Sequence, residues 1–134
     1  MTELAVADTH AVIWHATGRA DRLGRRARDL FERADAGDAA IYVPTFVLVE
    51  LLEAARRGVL RFPGGAAAWV EGLTRSGAYF LADLTADVAL RAHALYAIPE
   101  RGDRLIAATA AVLGLPLITR DPAIARAAAV RRVW

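Results

Sequence analysis

The chain reads as one α/β domain, a sandwich in which a mostly parallel central sheet is flanked by helices. Three observations predict this. Apolar strand-like runs alternate with helical patterns along the whole length; 134 residues suffice for one core but not two; and no linker, internal repeat or low-complexity tract interrupts the alternation. Residues 3–7 form a short β-prone run that stops at Asp8-Thr9, and residues 10–17, carrying Val12, Ile13 and Trp14, read as the following helix. Leu23, Ala27, Leu30, Phe31 and Ala34 recur every three or four positions, opposite Arg25, Arg26, Arg28, Asp29, Glu32 and Arg33, which predicts an amphipathic helix ending near Gly37. Residues 39–43 read as a buried strand, and Pro44 enters a long helix through Arg57 that Gly58 closes. The turn-rich Phe62-Pro63-Gly64-Gly65 leads to an alanine-rich helix over 66–75, a strand over 78–82 and a helical pattern over 85–96. After a polar interruption at 99–102, a helix over 103–113 ends at Gly114, a strand covers 115–119, and Asp121-Pro122 starts another helix. Residues 130–134 add an edge strand, with Arg131 and Arg132 discouraging edge-to-edge pairing.

Composition narrows the chemistry. With no cysteine, thiolate catalysis, cysteine-ligated metals and redox switching are excluded together. The apolar run at 42–49 falls far short of the about 20 residues that cross a bilayer, so no membrane association is expected. Met1-Thr2-Glu3 lacks the basic region of a secretory signal, which makes the cytoplasm the expected compartment. All 17 basic residues are arginines, and the formal charge is only +2. Arginine grips phosphate through a planar fork, so this bias is compatible with nucleic-acid contact, although a GC-rich coding sequence is the simpler explanation. No Gly-rich phosphate loop follows a strand, and Gly64-Gly65 has neither the spacing nor the lysine of one. His10, His15 and His93 read as packing or surface residues.

In an open parallel sheet, ligands bind beyond the carboxyl ends of the strands. Asp8 follows the first strand, Asp121 follows the strand at 115–119, and Asp103 begins a helix whose N-terminus points at the same rim. Glu50 interrupts the apolar helical run Phe46-Val47-Leu48-Val49-Glu50-Leu51-Leu52, where an unpaired buried carboxylate costs several kcal/mol. Taken singly, each has a structural reading: Asp8 as a turn residue, Asp103 and Asp121 as helix caps, Glu50 as an arginine partner or part of a solvated stripe. Taken together, carboxylates converging on one rim repel each other by about 4 kcal/mol per close pair at an effective dielectric near 20 unless a cation lies between them. Oxygen-only donors, without cysteine or a spaced histidine pair, suit a hard ion such as Mg²⁺ or Mn²⁺.

These residues resemble those of the PIN-domain ribonucleases of the VapC toxin type, over nearly the whole chain. Asp8-Thr9-His10-Ala11-Val12-Ile13-Trp14 is similar to the family's opening motif and is the most specific part. Pro44-Thr45 leading to Glu50 resembles the second acidic motif, Gly102-Asp103-Arg104-Leu105-Ile106-Ala107-Ala108-Thr109-Ala110 the third, and Thr119-Arg120-Asp121 the fourth. The stretch between Tyr96 and Asp103 is shorter than usual, and Thr45 stands where serine is often found. The resemblance implies a PIN-like three-layer sandwich spanning residues 1–134. It also implies a Mg²⁺-dependent endoribonuclease, with Mn²⁺ able to substitute, and a catalytic and metal-binding quartet of Asp8, Glu50, Asp103 and Asp121, supported by the hydroxyls of Thr9 and Thr119. It further implies an RNA substrate, a VapB-like antitoxin that can present an arginine to the carboxylates, and a homodimer, for which Val59, Leu60, Phe62 and Trp69 are candidate interface residues.

The rival from another class is a catalytically silent PIN-like module that binds RNA or a protein. An aspartyl-nucleophile phosphatase requires Asp-x-Asp after the first strand and a lysine; Asp8-Thr9-His10 and the absence of lysine supply neither. The same absence weakens a receiver-type phosphoacceptor.

Overall fold

The computed structural model describes residues 2–134. Its strands are β1 (Glu3–Ala7), β2 (Ala39–Pro44), β3 (Tyr79–Ala82), β4 (Leu117–Ile118) and β5 (Arg132–Val133). Its helices are α1 (Thr9–Ala16), α2 (Arg25–Asp35), α3 (Thr45–Arg56), α4 (Ala66–Arg75), α5 (Ala86–Ala94), α6 (Arg101–Leu113) and α7 (Pro122–Ala127), with one 3₁₀ turn at Ala20–Arg22. The five strands form one sheet in the order β3-β2-β1-β4-β5, and every pairing is parallel.

The predicted alternation is present, and its apolar positions lie inside. Ala27, Leu30, Phe31 and Ala34 of α2 are buried while its arginines face outward; Val6, Ile41, Val43, Leu117 and Ile118 fill the sheet, and Val47 and Leu51 of α3 cover it. A strand buried on both faces is continuously apolar, which is why β1 and β2 read as runs and not as alternations.

Boundaries differ where local chemistry overrides periodicity. Thr9, not His10, opens α1, because the Asp8 side chain accepts from the Ala11 amide and caps the helix. Thr85 likewise stays outside α5 as its cap, accepting from the Val88 amide. Helix α6 begins at Arg101, two residues before its predicted start, so Asp103 lies in its first turn and Glu100 takes the cap position. Leu115 and Pro116 fall outside β4, although the Pro116 carbonyl still accepts from the Val6 amide and Leu117 donates to Arg131. The 3₁₀ turn was beyond the reach of periodicity, since three residues define no face.

Of the candidate interface residues, Phe62 is buried and stacks on the half-buried Trp69 at 4.8 Å between ring centroids, and Leu60 packs against the core. Only Val59 of the four is exposed. Other large apolar residues are exposed too, among them Val49 and Leu52 of α3, Phe80 and Leu84 in and after the edge strand β3, and Leu90 and Tyr96.

Candidate active site

Because all pairings are parallel, the carboxyl ends of the five strands lie along one rim. The strand order reverses between β1 and β4, the β2 and β3 side lying beyond one and β5 beyond the other, and that switch point opens a crevice. Asp8 is the first residue after β1, and its amide extends the ladder by donating to the Ile118 carbonyl. Thr119 follows β4, Asp103 comes from the first turn of α6, and Asp121 caps α7. Asp8, Asp103, Thr119 and Asp121 line one cavity of about 300 Å³ together with His10, Trp14, Glu100, Arg120, Ile124 and Trp134.

The electrostatics single out Asp8 and Asp103. Burial pushes the Asp8 carboxyl above the ordinary aspartate range and the Glu50 charge adds to this; the Ala11 amide, the Thr119 hydroxyl and His10 act in the opposite direction. The Asp103 carboxyl is also raised, by burial first and then by the charges of Glu100, Asp8 and Glu50, with His10 opposing. These mutual influences bring Asp8, Glu50, Glu100 and Asp103 within electrostatic reach of one another.

Glu50 reaches the site from α3. Its Oε1 accepts from the Thr9 hydroxyl at 2.5 Å, and its Oε2 lies where a Cβ on Gly102 would approach it to 3.5 Å. Glycine at 102 thus lets the start of α6 come close to Phe46 and Glu50. Glu50 is half-buried, so neither sequence alternative describes it: among the described residues it belongs to no ion pair, and a neutral hydroxyl is its partner.

Asp121 shares the cavity from its outer edge. It is exposed, and its Oδ1 accepts from the Ala123 amide at 2.8 Å. Thr119 is buried, and its hydroxyl accepts from the Asp121 amide at 3.3 Å. Thr45 accepts from the Leu84 amide and ties α3 to the segment after β3.

Among the described residues, no three His, Asp or Glu side chains are gathered closely enough to form a ready metal cage. The donor set nonetheless fits a Mg²⁺-like ion, which is commonly held through one or two carboxylates with water and substrate phosphate in its remaining positions. Asp8 and Asp103, whose carboxyls are both raised by burial and by neighbouring charge, are the two carboxylates such an ion would engage.

Six residues lining the cavity, His10, Trp14, Glu100, Arg120, Ile124 and Trp134, are not among the sequence candidates. Glu100 is hidden in the polar interruption before α6, and His10 is at the surface, as one of its two sequence readings has it, but also lines the acidic cavity. Trp134 was the most accessible to inference: it immediately follows β5, and the strand-end rule that places Asp8 and Asp121 on the rim places it there too.

The class that fold and site define is a parallel α/β domain with an acidic crevice at its switch point. The family model described as "PIN domain" matches residues 5–130, and the chain belongs to that family. PIN domains are generally nucleases and typically depend on a divalent metal. No curated protein matches the chain in sequence. Solved structures share its fold at low identity. A chain of VapBC2 from Rickettsia felis, bound to a promoter DNA fragment, has 14% identity and a TM-score of 0.70, with 96% of each chain covered. A chain of DNA-bound VapBC from Salmonella typhimurium has 19% identity and a TM-score of 0.70, covering 98% of this chain and 97% of its own. A chain of FitAcB from Neisseria gonorrhoeae has 20% identity and a TM-score of 0.65, covering 97% and 96%.

Proposed function

We propose that the protein is a Mg²⁺-dependent endoribonuclease of the VapC toxin type, hydrolysing RNA phosphodiester bonds in the cytoplasm until a VapB-like antitoxin neutralises it. The observation that carries this reading is the pairing of Asp8 and Asp103 in one crevice, each with its carboxyl raised by burial and by neighbouring carboxylates. A divalent ion, Mg²⁺ or in its place Mn²⁺, would be held by Asp8 and Asp103, with Glu50 and Asp121 completing the shell, and would supply an activated water and charge neutralisation at the phosphate.

The chain's own residues then have separable roles. The Ala11 amide fixes the Asp8 side chain, the Thr9 hydroxyl fixes Glu50, and Thr119 orients the start of the loop that carries Asp121. Arg120, lining the same cavity, attracts the RNA phosphate. The toxin–antitoxin part of the reading rests on the sequence motifs and on the fold shared with chains of VapBC and FitAB complexes. Homodimerisation through the exposed apolar residues of α3 and the β3 edge belongs to the same reading.

The test is incubation of antitoxin-free protein with total RNA and Mg²⁺ or Mn²⁺, beside an EDTA control and a folded Asp103→Asn variant. Cleavage that is lost in both controls supports the reading. No cleavage of any RNA class by folded, metal-supplied protein moves the assignment to the silent binding module.

A further inference from the structure

The acidic cavity has an aromatic wall that the hydrolytic chemistry does not use. His10 is exposed, Trp14 and Trp134 are half-buried, and all three line the cavity beside Asp8, Asp103 and Arg120. The His10 and Trp14 rings lie 5.6 Å apart between centroids and are tilted by 43°; Trp14 and Trp134 lie 5.9 Å apart, edge to face. Trp134 is held rigidly. Its carbonyl accepts from the Arg26 amide at 3.0 Å, and a Cβ on Gly24 would lie 2.3 Å from its carbonyl carbon and 2.6 Å from its ring Cδ1, so only glycine permits this approach.

Resting on the ribonuclease reading, we propose that His10, Trp14 and Trp134 form a base-stacking subsite that holds an unpaired nucleobase next to the cleaved phosphate. A rigid platform of tryptophan faces and edges costs little entropy to organise, accepts any base because every base has a π-face, and works only on bases free of a duplex. Arg120 on the same cavity matches the adjoining phosphate in charge, and Asp8, Asp103 and Asp121 line the same 300 Å³ space, so stacking and cleavage address neighbouring groups of one strand. The wall therefore selects single-stranded or looped RNA, and a protein segment is the alternative occupant that the test separates.

The experiment uses the full chain with Trp69→Phe, which removes the one tryptophan outside the wall and leaves Trp14 and Trp134 as emitters. A short single-stranded RNA of mixed sequence, added with Ca²⁺, is expected to quench tryptophan fluorescence. Trp134→Leu is expected to raise the RNA Kd at least about fivefold and Trp134→Phe to restore most of it, the size of one lost base stack. Cleavage with Mg²⁺ should then show the loss in KM with kcat nearly preserved. Abasic sites placed one at a time along the RNA probe the same contact on unsubstituted protein, and one or two adjacent positions should lose at least about fivefold in affinity. Absence of quenching, uniform tolerance of abasic sites, or an unchanged KM in folded Trp134→Leu overturns the subsite. Cleavage that proceeds with KM unchanged leaves the nuclease standing without the wall, whereas stacking without any cleavage leaves the wall and removes the nuclease.

Discussion

Two aspartate clusters lie toward opposite ends of the strands, and the fold satisfies one and leaves the other wanting. Asp35, the last residue of α2, accepts from the Tyr79 hydroxyl at 2.5 Å and pairs with His15 Nε2 at 3.1 Å, while His15 stacks on Phe31 at 4.5 Å between centroids. These residues line a cavity of about 460 Å³ whose other walls include Val12, Val43, Trp69 and Leu73. There the carboxylate has donors enough, and the Tyr79 phenol is pushed far above its ordinary value, by burial first and then by Asp35. At the rim, Asp8 and Asp103 face further carboxylates, and among the described residues no arginine pairs with Asp8, Glu50, Asp103 or Asp121, although the chain has 17. Larger volume therefore does not identify the reactive site. The smaller cavity, where like charges are held together, is the one whose repulsion a cation would relieve.

The largest test of that contrast is activity. Asp8→Asn or Asp103→Asn should lower RNA cleavage by roughly 100-fold or more, since loss of a group that merely orients a metal ligand already costs about 10- to 100-fold. Asp35→Asn should leave cleavage within about twofold, an effect smaller than any of those losses. Equal losses at both clusters, measured on folded proteins, would erase the distinction. Thr9→Val comes next. It removes the hydroxyl that holds Glu50 while keeping the shape of the side chain, so cleavage should fall by about 10- to 100-fold with little change in Tm. Unchanged cleavage would mean that Glu50 needs no positioning.

The sequence made the carboxylates legible because they follow strand ends, and strand ends in a parallel sheet share a rim; Asp8 and Asp121 needed nothing more. Glu50 was visible as a charge inside an apolar helical run, but its partner was not, because Thr9 is 41 residues away and only the packing of α1 against α3 brings the two together. Asp103 lies on the rim but two residues inside the helix, since the cap lies at Glu100 and Gly102, a poor helix former that suggests a start after it, is tolerated in the first turn. The cluster at the other end was invisible for the same reason as Thr9. His15, Asp35 and Tyr79 belong to three different elements, and no local pattern links them.

A smaller effect appears in alkaline solution. Tyr79 keeps its proton in the folded state well past the ordinary phenol range, so the unfolded chain loses that proton first and folding stability falls as pH rises above about 10. Tyr79→Phe should be less stable near neutrality by about 1 kcal/mol, the value of one hydrogen bond, and the gap to the unsubstituted protein should close by up to about 1.4 kcal/mol per pH unit beyond that point. With no lysine or cysteine in the chain, neither side chain masks this limb. Chemical denaturation across that range measures it, and a gap that stays constant would show Tyr79 to be ionising normally.

The smallest effect, with the same sign in pH but at the rim, makes the substitution stabilising instead of destabilising. A carboxyl whose folded value is raised stabilises the protein fully when it is protonated, and that contribution is lost as pH climbs through its raised value, so at neutral pH and without metal the Asp103 charge works against folding. Asp103→Asn should therefore raise Tm in EDTA by about 1–3 °C at neutral pH, the size of a sub-kilocalorie change in a domain of this length, even as it abolishes cleavage. Acidification through the carboxylate range should erase the gain, because the unsubstituted Asp103 then becomes neutral as well. In weakly acidic buffer, Mg²⁺ binding should release protons from the same carboxyls, which calorimetric titration in buffers of different ionisation enthalpy detects. A variant that loses stability at neutral pH, or metal binding without proton exchange near pH 5, would show that Asp103 is satisfied in the free protein as Asp35 is, and the contrast between the two clusters would no longer hold.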